Sequence, residues 1–265
     1  MNFFTRYLRL LRLMLTQPAA YRTIQAVRAK RLTYLSRHAL VDLHELVRTL
    51  ENEDRQGLIL EAGVALGGSA VVLALAKAPA RPFYAYDVFG MIPPPSPNDG
   101  PDAHERYATI ASGQAQGLRG TAYYGYEEGL LEKVTRNLEE FGVDAAQRRV
   151  HLVPGLFEDT LNVAEPVALA HIDCDWYESV MLCLERITLH LICGGVLVID
   201  DYQIGPAANA PWTSTSPSVV TISTSSCAAN YTFVVDNPQG NPKKFDPRSH
   251  TKKHEGRERQ TLRLA

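Results

Sequence analysis

The sequence predicts one α/β domain built on a doubly wound, mostly parallel sheet, with helices before it and a lid inserted in it. Short apolar runs alternate with helical patterns through the middle of the chain, which is typical of a parallel sheet covered on both faces. Acidic residues directly follow several of these runs, at the strand ends where open α/β sheets bind ligands. With 265 residues, the chain is long enough for one such domain with its own core.

Five short apolar runs predict the strands of this sheet, at residues 57–60, 83–86, 150–153, 167–172 and 195–199. Helical patterns follow the first of them at residues 69–77 and lie between the last two at residues 180–191. The alternation favours a Rossmann-like arrangement, in which ligands bind at the carboxyl ends of the strands. A further strand is possible at residues 231–235.

Residues 1–56 are predicted to form an N-terminal helical cap. Apolar residues recur at helical spacing in the first fifteen positions, but Arg6, Arg9 and Arg12 interrupt them, so neither a transmembrane span nor a signal peptide fits. This amphipathic helix could dock on the domain or a second subunit, or lie on a membrane surface. We favour docking, and with it a homo-oligomer. A second helical pattern covers residues 40–50.

A long connection from residue 91 to residue 141 separates the second and third predicted strands. It opens with the proline-rich segment 93–97, which begins just after the strand that ends in Asp87, so residues 91–128 are predicted to form a lid over that strand end. An amphipathic helix follows at residues 130–141. Three tyrosines in the lid could stack on a ligand, although packing is the commoner role at such spacing: Tyr123, Tyr124 and Tyr126.

Bulk composition excludes some partners. The formal net charge of −2 gives no global reason to expect nucleic acid. The four cysteines show neither the spacing of a zinc knuckle nor the density of a secreted disulfide scaffold, which predicts reduced residues in a cytoplasmic protein. Residues 203–265 are predicted to be a divergent tail, rich in Ser and Thr and without regular structure over residues 206–229, and charged from Lys243 onward.

The first strand leads into a glycine-rich turn, Glu61-Ala62-Gly63-Val64-Ala65-Leu66-Gly67-Gly68-Ser69. Such a turn brings backbone N–H groups toward a ligand at the start of a helix. A dinucleotide-binding turn needs glycine where this chain has Ala65, which argues against NAD. Glu61 suits a cationic group such as an ammonium better than a phosphate, although it could instead only brace the turn. Asp87, at the end of the second strand, is placed to accept the hydroxyls of a ribose.

Two pairs of aspartates end the last two predicted parallel strands, Asp173 with Asp175 and Asp200 with Asp201. Because these strands run in parallel, the four carboxylates lie at one edge of the sheet, where they repel each other unless a cation neutralises them. Carboxylate oxygens are the ligands that Mg²⁺ prefers in proteins. The alternative, that each acid caps a following helix, explains one member of each pair only.

The run from Leu60 to Tyr202 resembles the macrocin O-methyltransferase family, the methyltransferases of antibiotic sugars, with catechol-type O-methyltransferases as more distant relatives. The resemblance rests on five segments that are specific only in combination, and they span a little over half of the chain. The segments are LEAGVALGGSA, YDVFG with the proline-bearing lid after it, LVPGLFEDTL, HIDCDWYES and GGVLVIDDY.

The resemblance implies a metal-assisted methyl transfer from S-adenosylmethionine to a hydroxyl of a small-molecule acceptor, such as a sugar or a glycosylated metabolite with a vicinal diol. It implies that Asp173, Asp200 and Asp201 bind Mg²⁺ and that Asp175 takes the proton from the acceptor hydroxyl. A magnesium ion acts there as a Lewis acid. Residues 57–202 are then the S-adenosylmethionine-binding methyltransferase domain.

The resemblance also implies a set of cofactor contacts. The methionine part of S-adenosylmethionine is assigned to Glu61, Gly63 and Ser69, and its ribose to Asp87. The adenine is assigned to the segment from residue 155 to residue 158, with Gly155, Phe157 and Glu158 as its named contacts.

The chain departs from the family after Tyr202, where the family normally continues with a glycine, a basic residue and a helix. Here the segment 203–208 leads into the Ser- and Thr-rich stretch, and the helix is expected to be missing. Two alternatives therefore stay open: a nicotinamide-dependent oxidoreductase, which Ala65 and the lack of an evident Tyr/Lys or His catalytic pair disfavour, and a non-catalytic protein that keeps the cofactor fold without its acceptor face.

Overall fold

A computed structural model of the protein describes residues 3–200 and 220–223, and it contains a six-stranded sheet in the order β3-β2-β1-β4-β5-β6. The first five strands pair in parallel and the last pairs with β5 in an antiparallel direction, which confirms the predicted mostly parallel α/β fold. The strands are β1 (Leu58–Ala62), β2 (Phe83–Asp87), β3 (Val150–Pro154), β4 (Val167–Ile172), β5 (Leu191–Ile199) and β6 (Val220–Ser223).

Eight α-helices accompany the strands within the described residues. All five predicted helical patterns of the cap and the domain are confirmed, with ends that differ by a few residues. The helices are α1 (Phe3–Thr16), α2 (Pro18–Ala29), α3 (Arg37–Asn52), α4 (Gly68–Ala76), α5 (Pro101–Ala111), α6 (Leu130–Glu140), α7 (Phe157–Thr160) and α8 (Tyr177–Thr188).

Apolar side chains on the two faces of the sheet form two separate cores, as a doubly wound fold requires. On one face, Ile59 and Phe83 pack with buried residues of α2, α3, α4 and α6. On the other face, Leu60 and Ile172 pack with Cys183 and Ile187 of α8. Because β1 and β4 are buried on both faces, their sequences are almost continuously apolar, which is why the sequence predicted them.

The N-terminal helices pack on the first face of the sheet. Leu13 of α1 is buried in the core there, and Arg9 forms ion pairs with Asp42 and Glu45 of α3. The docking of α1 on the domain is therefore seen in the structure, while large apolar residues on its other side stay exposed, among them Tyr7 and Leu15. No helix within the described ranges is long and apolar enough to cross a membrane.

Two sequence expectations are wrong. Residues 206–229 were expected to lack regular structure, but β6 pairs with the end of β5. The segment Val220-Thr221-Ile222-Ser223 holds three β-branched residues in succession, a strand signal that the composition of the longer stretch obscures. Cys193 is disulfide-bonded, whereas Cys174 and Cys183 are free thiols, so the prediction of reduced cysteines fails at one position. Oxidation depends on which thiols meet in space, which spacing in the sequence does not reveal.

Several predictions concern residues outside the described ranges. The possible strand at residues 231–235, the missing helix after Tyr202 and the charged end of the tail all lie there. The division of the chain into cap, methyltransferase domain and tail stays a prediction.

The lid has a small core of its own. Its helix α5 is followed by two short 3₁₀ turns, Leu118–Gly120 and Tyr124–Tyr126. The phenol of Tyr126 donates a hydrogen bond to the carbonyl of Ile110 (2.5 Å) and accepts one from the N–H of Ala115 (3.1 Å). Tyr123 is only 3% exposed among these residues. Packing is therefore the role of Tyr123 and Tyr126, as the sequence favoured.

The direction of strand order reverses between β1 and β4, and this is the place where open α/β sheets bind ligands. The two strand ends are in direct contact there. The N–H of Asp173 donates to the carbonyl of Ala62 (2.8 Å), and a Cβ added to Gly63 would lie 2.1 Å from the carbonyl oxygen of Asp173. Gly63 has a φ of +90°, a backbone angle that residues other than glycine rarely adopt. Glycine is thus required both by the backbone angle and by the neighbouring strand.

The close contact predicts that Gly63→Ala lowers the free energy of unfolding strongly. Gly142→Ala is the matched control, because Gly142 also has positive φ (+76°) but nothing lies within 4 Å of an added Cβ. The control should lose about 1 kcal/mol of unfolding free energy from its left-handed backbone. Gly63→Ala should lose about 2 kcal/mol more, because its Cβ meets backbone that has to move. Urea denaturation of both variants measures the difference, and equal losses would contradict the close contact.

Candidate functional site

The glycine-rich turn between β1 and α4 is organised around the carboxylate of Asp87. Its Oδ2 accepts hydrogen bonds from the N–H groups of Val64 (2.6 Å) and Ala65 (3.1 Å), and its Oδ1 accepts one from Phe89 (2.8 Å). Burial is the largest influence on this carboxyl and raises its pKa, against the lowering effect of these donors. The carboxylate therefore occupies the N–H groups that a phosphate would need in a dinucleotide-binding turn.

Ala65 has a φ of +48° in this turn, a left-handed conformation that is uncommon for residues other than glycine. The turn thus keeps the backbone shape of a glycine-rich loop without a glycine at that position. Ser69 follows in the first turn of α4 and is buried.

The segment after β3 lies beside Asp87. The N–H of Gly155 donates to the backbone carbonyl of Asp87 (3.0 Å), and Gly155 has a φ of +136°. Phe157 begins α7 and packs against the second core, while Glu158 is exposed. The structure therefore places Gly155 in direct contact with the acid that the resemblance assigned to a ribose, and α7, which begins with Phe157 and Glu158, contacts β2.

Glu61 forms a buried pair with His171, which stands opposite it on β4. The Oε1 of Glu61 and the Nδ1 of His171 are 2.9 Å apart, and neither side chain is exposed. Burial lowers the pKa of His171, but the hydrogen bond with Glu61 and the charges of Glu61, Asp173 and Asp200 outweigh it, so the pKa is raised above its ordinary value. The acids at this edge thus favour the protonated form of the imidazole.

Each partner of this pair keeps one buried polar atom that makes no hydrogen bond within the described residues. These atoms are the Oε2 of Glu61 and the Nε2 of His171. A buried carboxylate oxygen is costly without a donor, so a ligand group or a water is expected to meet Oε2.

The predicted acidic residues lie at the ends of neighbouring strands. The N–H of Asp200 donates to the carbonyl of Ile172 (2.9 Å), which holds Asp200 next to the segment that carries Asp173. Asp200 is buried, Asp173 is half-buried and Asp175 is exposed. Asp201 lies outside the described residues, and within them no three His, Cys, Asp or Glu side chains form a group able to hold a metal ion.

Two of the three predicted metal ligands are therefore adjacent, and the third is not described. Carboxylates suit Mg²⁺, and Mg²⁺ commonly uses only one or two of them with waters and substrate oxygens. The donor chemistry of Asp173 and Asp200 fits such an ion.

Aromatic residues from the cap and the lid meet beside Asp175. The rings of Tyr34 and Tyr124 contact each other edge to face at 6.1 Å, and those of Tyr123 and Tyr124 lie 4.6 Å apart. Burial raises the pKa of all three phenols, that of Tyr123 to about 12, and the charge of Asp175 adds to each increase. The charge of Asp175 therefore acts on this aromatic group, of which Tyr34 is 45% exposed.

Sequence reasoning missed three residues of this region. His171 stands inside an apolar strand, and its position opposite Glu61 in the register of β1 and β4 is the signal that could have identified it. Tyr34 lies in a loop of the cap, and no sequence motif marks it. Trp176 directly follows Asp175, and its indole N–H donates to the carbonyl of Pro93 in the lid (2.8 Å), a contact between residues far apart in the sequence.

Comparison with known proteins identifies a family that this chain resembles. Residues 26–215, well over half of the chain, match the family model described as Macrocin-O-methyltransferase (TylF). A relative from Streptomyces olivaceus is 31% identical over 186 residues, which are 65% of this chain and 66% of the relative. It is named 8-demethyl-8-(2,3-dimethoxy-alpha-L-rhamnosyl)-tetracenomycin-C 4'-O-methyltransferase.

A second relative, the demethyldecarbamoylnovobiocin O-methyltransferase of Streptomyces niveus, is 34% identical over 77 residues, or 28% of this chain and 29% of the relative. The chain thus spans just under two thirds of the first relative and less than a third of the second. Among solved structures, that of the O-methyltransferase NovP is similar with a TM-score of 0.51 and 24% identity, over 64% of this chain and 67% of that one, which supports the fold. By its match over residues 26–215, the chain belongs to the macrocin O-methyltransferase family.

Proposed function

We propose that this protein is an S-adenosylmethionine-dependent, magnesium-assisted O-methyltransferase that acts on a hydroxyl of a sugar or another vicinal-diol acceptor. The observation that carries the proposal is the direct backbone contact between the glycine-rich turn at Gly63 and the acidic segment at Asp173. A methyl donor held by the turn would lie next to an acceptor held by the acids.

The donor site is proposed along the ends of β1, β2 and β3. Glu61, Gly63 and Ser69 would hold the methionine part of S-adenosylmethionine. The buried Oε2 of Glu61, which has no hydrogen-bond donor within the described residues, supports this role because an ammonium group would satisfy it. S-adenosylmethionine supplies an electrophilic sulfonium methyl group when bound.

The nucleoside part would lie near Asp87, Gly155, Phe157 and Glu158. Asp87 accepts hydrogen bonds from the N–H groups of Val64 and Ala65 in the turn and from that of Phe89 after β2. A ribose hydroxyl would approach the same carboxylate. The saturation of the turn by Asp87 supports a ligand without a pyrophosphate and disfavours the nicotinamide alternative.

The acceptor side is proposed at the ends of β4 and β5. Asp173, Asp200 and Asp201 would hold Mg²⁺, which when bound would act as a Lewis acid and make deprotonation of an acceptor hydroxyl accessible. Asp175 accepts the proton from that hydroxyl. The hydroxyl oxygen forms a bond to the methyl carbon as the carbon–sulfur bond breaks, so the products are a methyl ether and S-adenosylhomocysteine. Positioning of the two reactants contributes much of the rate.

A sugar acceptor is supported by two observations. The relative from Streptomyces olivaceus is named for a rhamnosyl compound. In this chain, Tyr34 and Tyr124 form an aromatic surface next to Asp175, and such surfaces can pack on the apolar face of a sugar ring. A homo-oligomer is a further part of the proposal, because α1 exposes several large apolar side chains.

Asp175→Asn tests the proposed base. The exchange keeps the shape of the side chain and removes its ability to take a proton, so kcat should fall at least about 100-fold while the Kd for S-adenosylmethionine is unchanged. Asp144→Asn, an exposed acid after α6, is the control and should leave kcat unchanged. Kinetics with a panel of rhamnosides and calorimetry with S-adenosylmethionine measure both quantities. A fully active Asp175→Asn variant would exclude Asp175 as the base.

Asp173→Asn and Asp200→Asn test the metal site. Each removes a charged oxygen ligand, so each should raise the Kd for Mg²⁺ by about tenfold or more. Asp54→Asn is the control, because Asp54 is exposed at the end of α3 and its φ of +49° suits asparagine. Calorimetric titration with MgCl₂ gives the affinities without any need for activity. If both variants bind Mg²⁺ as well as the parent protein, the metal assignment is wrong.

A further inference from the structure

The beginning of the lid is fastened to the start of α8 by three hydrogen bonds. The indole N–H of Trp176 donates to the carbonyl of Pro93 (2.8 Å), and the N–H of Tyr177 donates to the Oδ1 of Asp99 (2.7 Å). The side-chain amide of Asn98 donates to the carboxylate of Glu178. We call these contacts, between residues 93–99 and residues 176–178, the latch.

Asp99 is the central residue of the latch because its two oxygens bond to different parts of the chain. Its Oδ2 accepts from the N–H and the hydroxyl of Ser96 (2.8 and 2.9 Å), which closes a turn in the lid. Its Oδ1 reaches across to Tyr177, the first residue of α8. One side chain therefore holds the shape of the lid segment and its position on the domain.

The contact with Tyr177 has the chemistry of a helix cap. The residue before α8 is Trp176, whose side chain makes no cap hydrogen bond. Asp99 supplies that bond from 78 residues away in the sequence. A carboxylate at the N-terminus of a helix also interacts favourably with the positive end of the helix dipole.

The latch directly adjoins the acidic segment. Asp175 precedes Trp176, which is only 6% exposed and is fixed by its bond to the lid. The lid also contacts the cap, through Tyr124 and Tyr34, and the charge of Asp175 acts on both phenols. Ile92, which precedes the latch residue Pro93, packs in the same small core as Tyr124, so this core connects the two contacts of the lid.

We propose that Asp99 is a positioning residue that fixes Asp175 from the lid. The first turn of α8 and the acidic residue before it take their working position only when the lid segment 93–99 lies on them. This inference rests on the proposed function, in which Asp175 is the base. It adds a residue on the lid that controls the base without contact with the reacting atoms.

Three variants test the inference in the full-length protein. Asp99→Ala removes the acceptor for the N–H of Tyr177 and should lower kcat about tenfold or more, with an unchanged Kd for S-adenosylmethionine. Asp99→Asn keeps one acceptor oxygen, for the N–H of Tyr177, but loses the acceptor for the N–H of Ser96, so it should recover part of the rate. Trp176→Phe removes the hydrogen bond from the indole N–H to the carbonyl of Pro93 and should also lower kcat. Glu105→Gln is the control, since Glu105 is an exposed acid on α5 of the same lid.

Amide hydrogen exchange gives a second measurement that needs no turnover. Asp99→Ala should speed exchange in peptides covering residues 91–100 and 173–180, whereas Glu105→Gln should not. Unchanged exchange, or faster exchange with an unchanged kcat, would overturn the inference and leave the proposed function intact. A parent protein that binds S-adenosylmethionine but methylates no rhamnoside would overturn the proposed function, and the inference with it.

Discussion

The contact between the ends of β1 and β4 is the constraint on which the rest of the site depends. Gly63 lies so close to the carbonyl of Asp173 that no side chain fits between them, and the N–H of Asp173 is bound to Ala62. The turn that is proposed to hold the methyl donor and the segment that carries the acids are therefore parts of one rigid edge. Any ligand bound at one is near any ligand bound at the other.

Charge compensation at this edge differs from one acid to the next. Asp87 accepts hydrogen bonds from backbone N–H groups of the turn, and the Oε1 of Glu61 pairs with the imidazole of His171. These contacts give both acids a part in the architecture. The charges of Asp173 and Asp200 contribute to the raised pKa of the same imidazole. A divalent cation would reduce the repulsion among them, and the proposed Mg²⁺ has this electrostatic basis.

The sequence predicted those features of the fold and the site that local residue patterns encode. The five parallel strands were predictable because buried strands are nearly continuous apolar runs, and the acids stood out because each follows such a run. What it could not predict are contacts between distant residues. The bond from Asp99 to Tyr177, the pair of Glu61 with His171 and the contact of Tyr34 with the lid depend on how the elements pack, and β6 was hidden in a stretch whose composition suggested a loop.

Donor and acceptor are proposed to meet at this edge, where a methyl group passes to a hydroxyl oxygen. The most direct measurement is incubation of the full-length protein and MgCl₂ with S-adenosylmethionine that carries a trideuterated methyl group and with rhamnosides that offer a vicinal diol. We expect a product in which one hydroxyl hydrogen is replaced by the trideuteromethyl group, located on oxygen by fragmentation in the mass spectrometer. Tight binding of S-adenosylmethionine without a labelled product from any such acceptor would contradict this proposal.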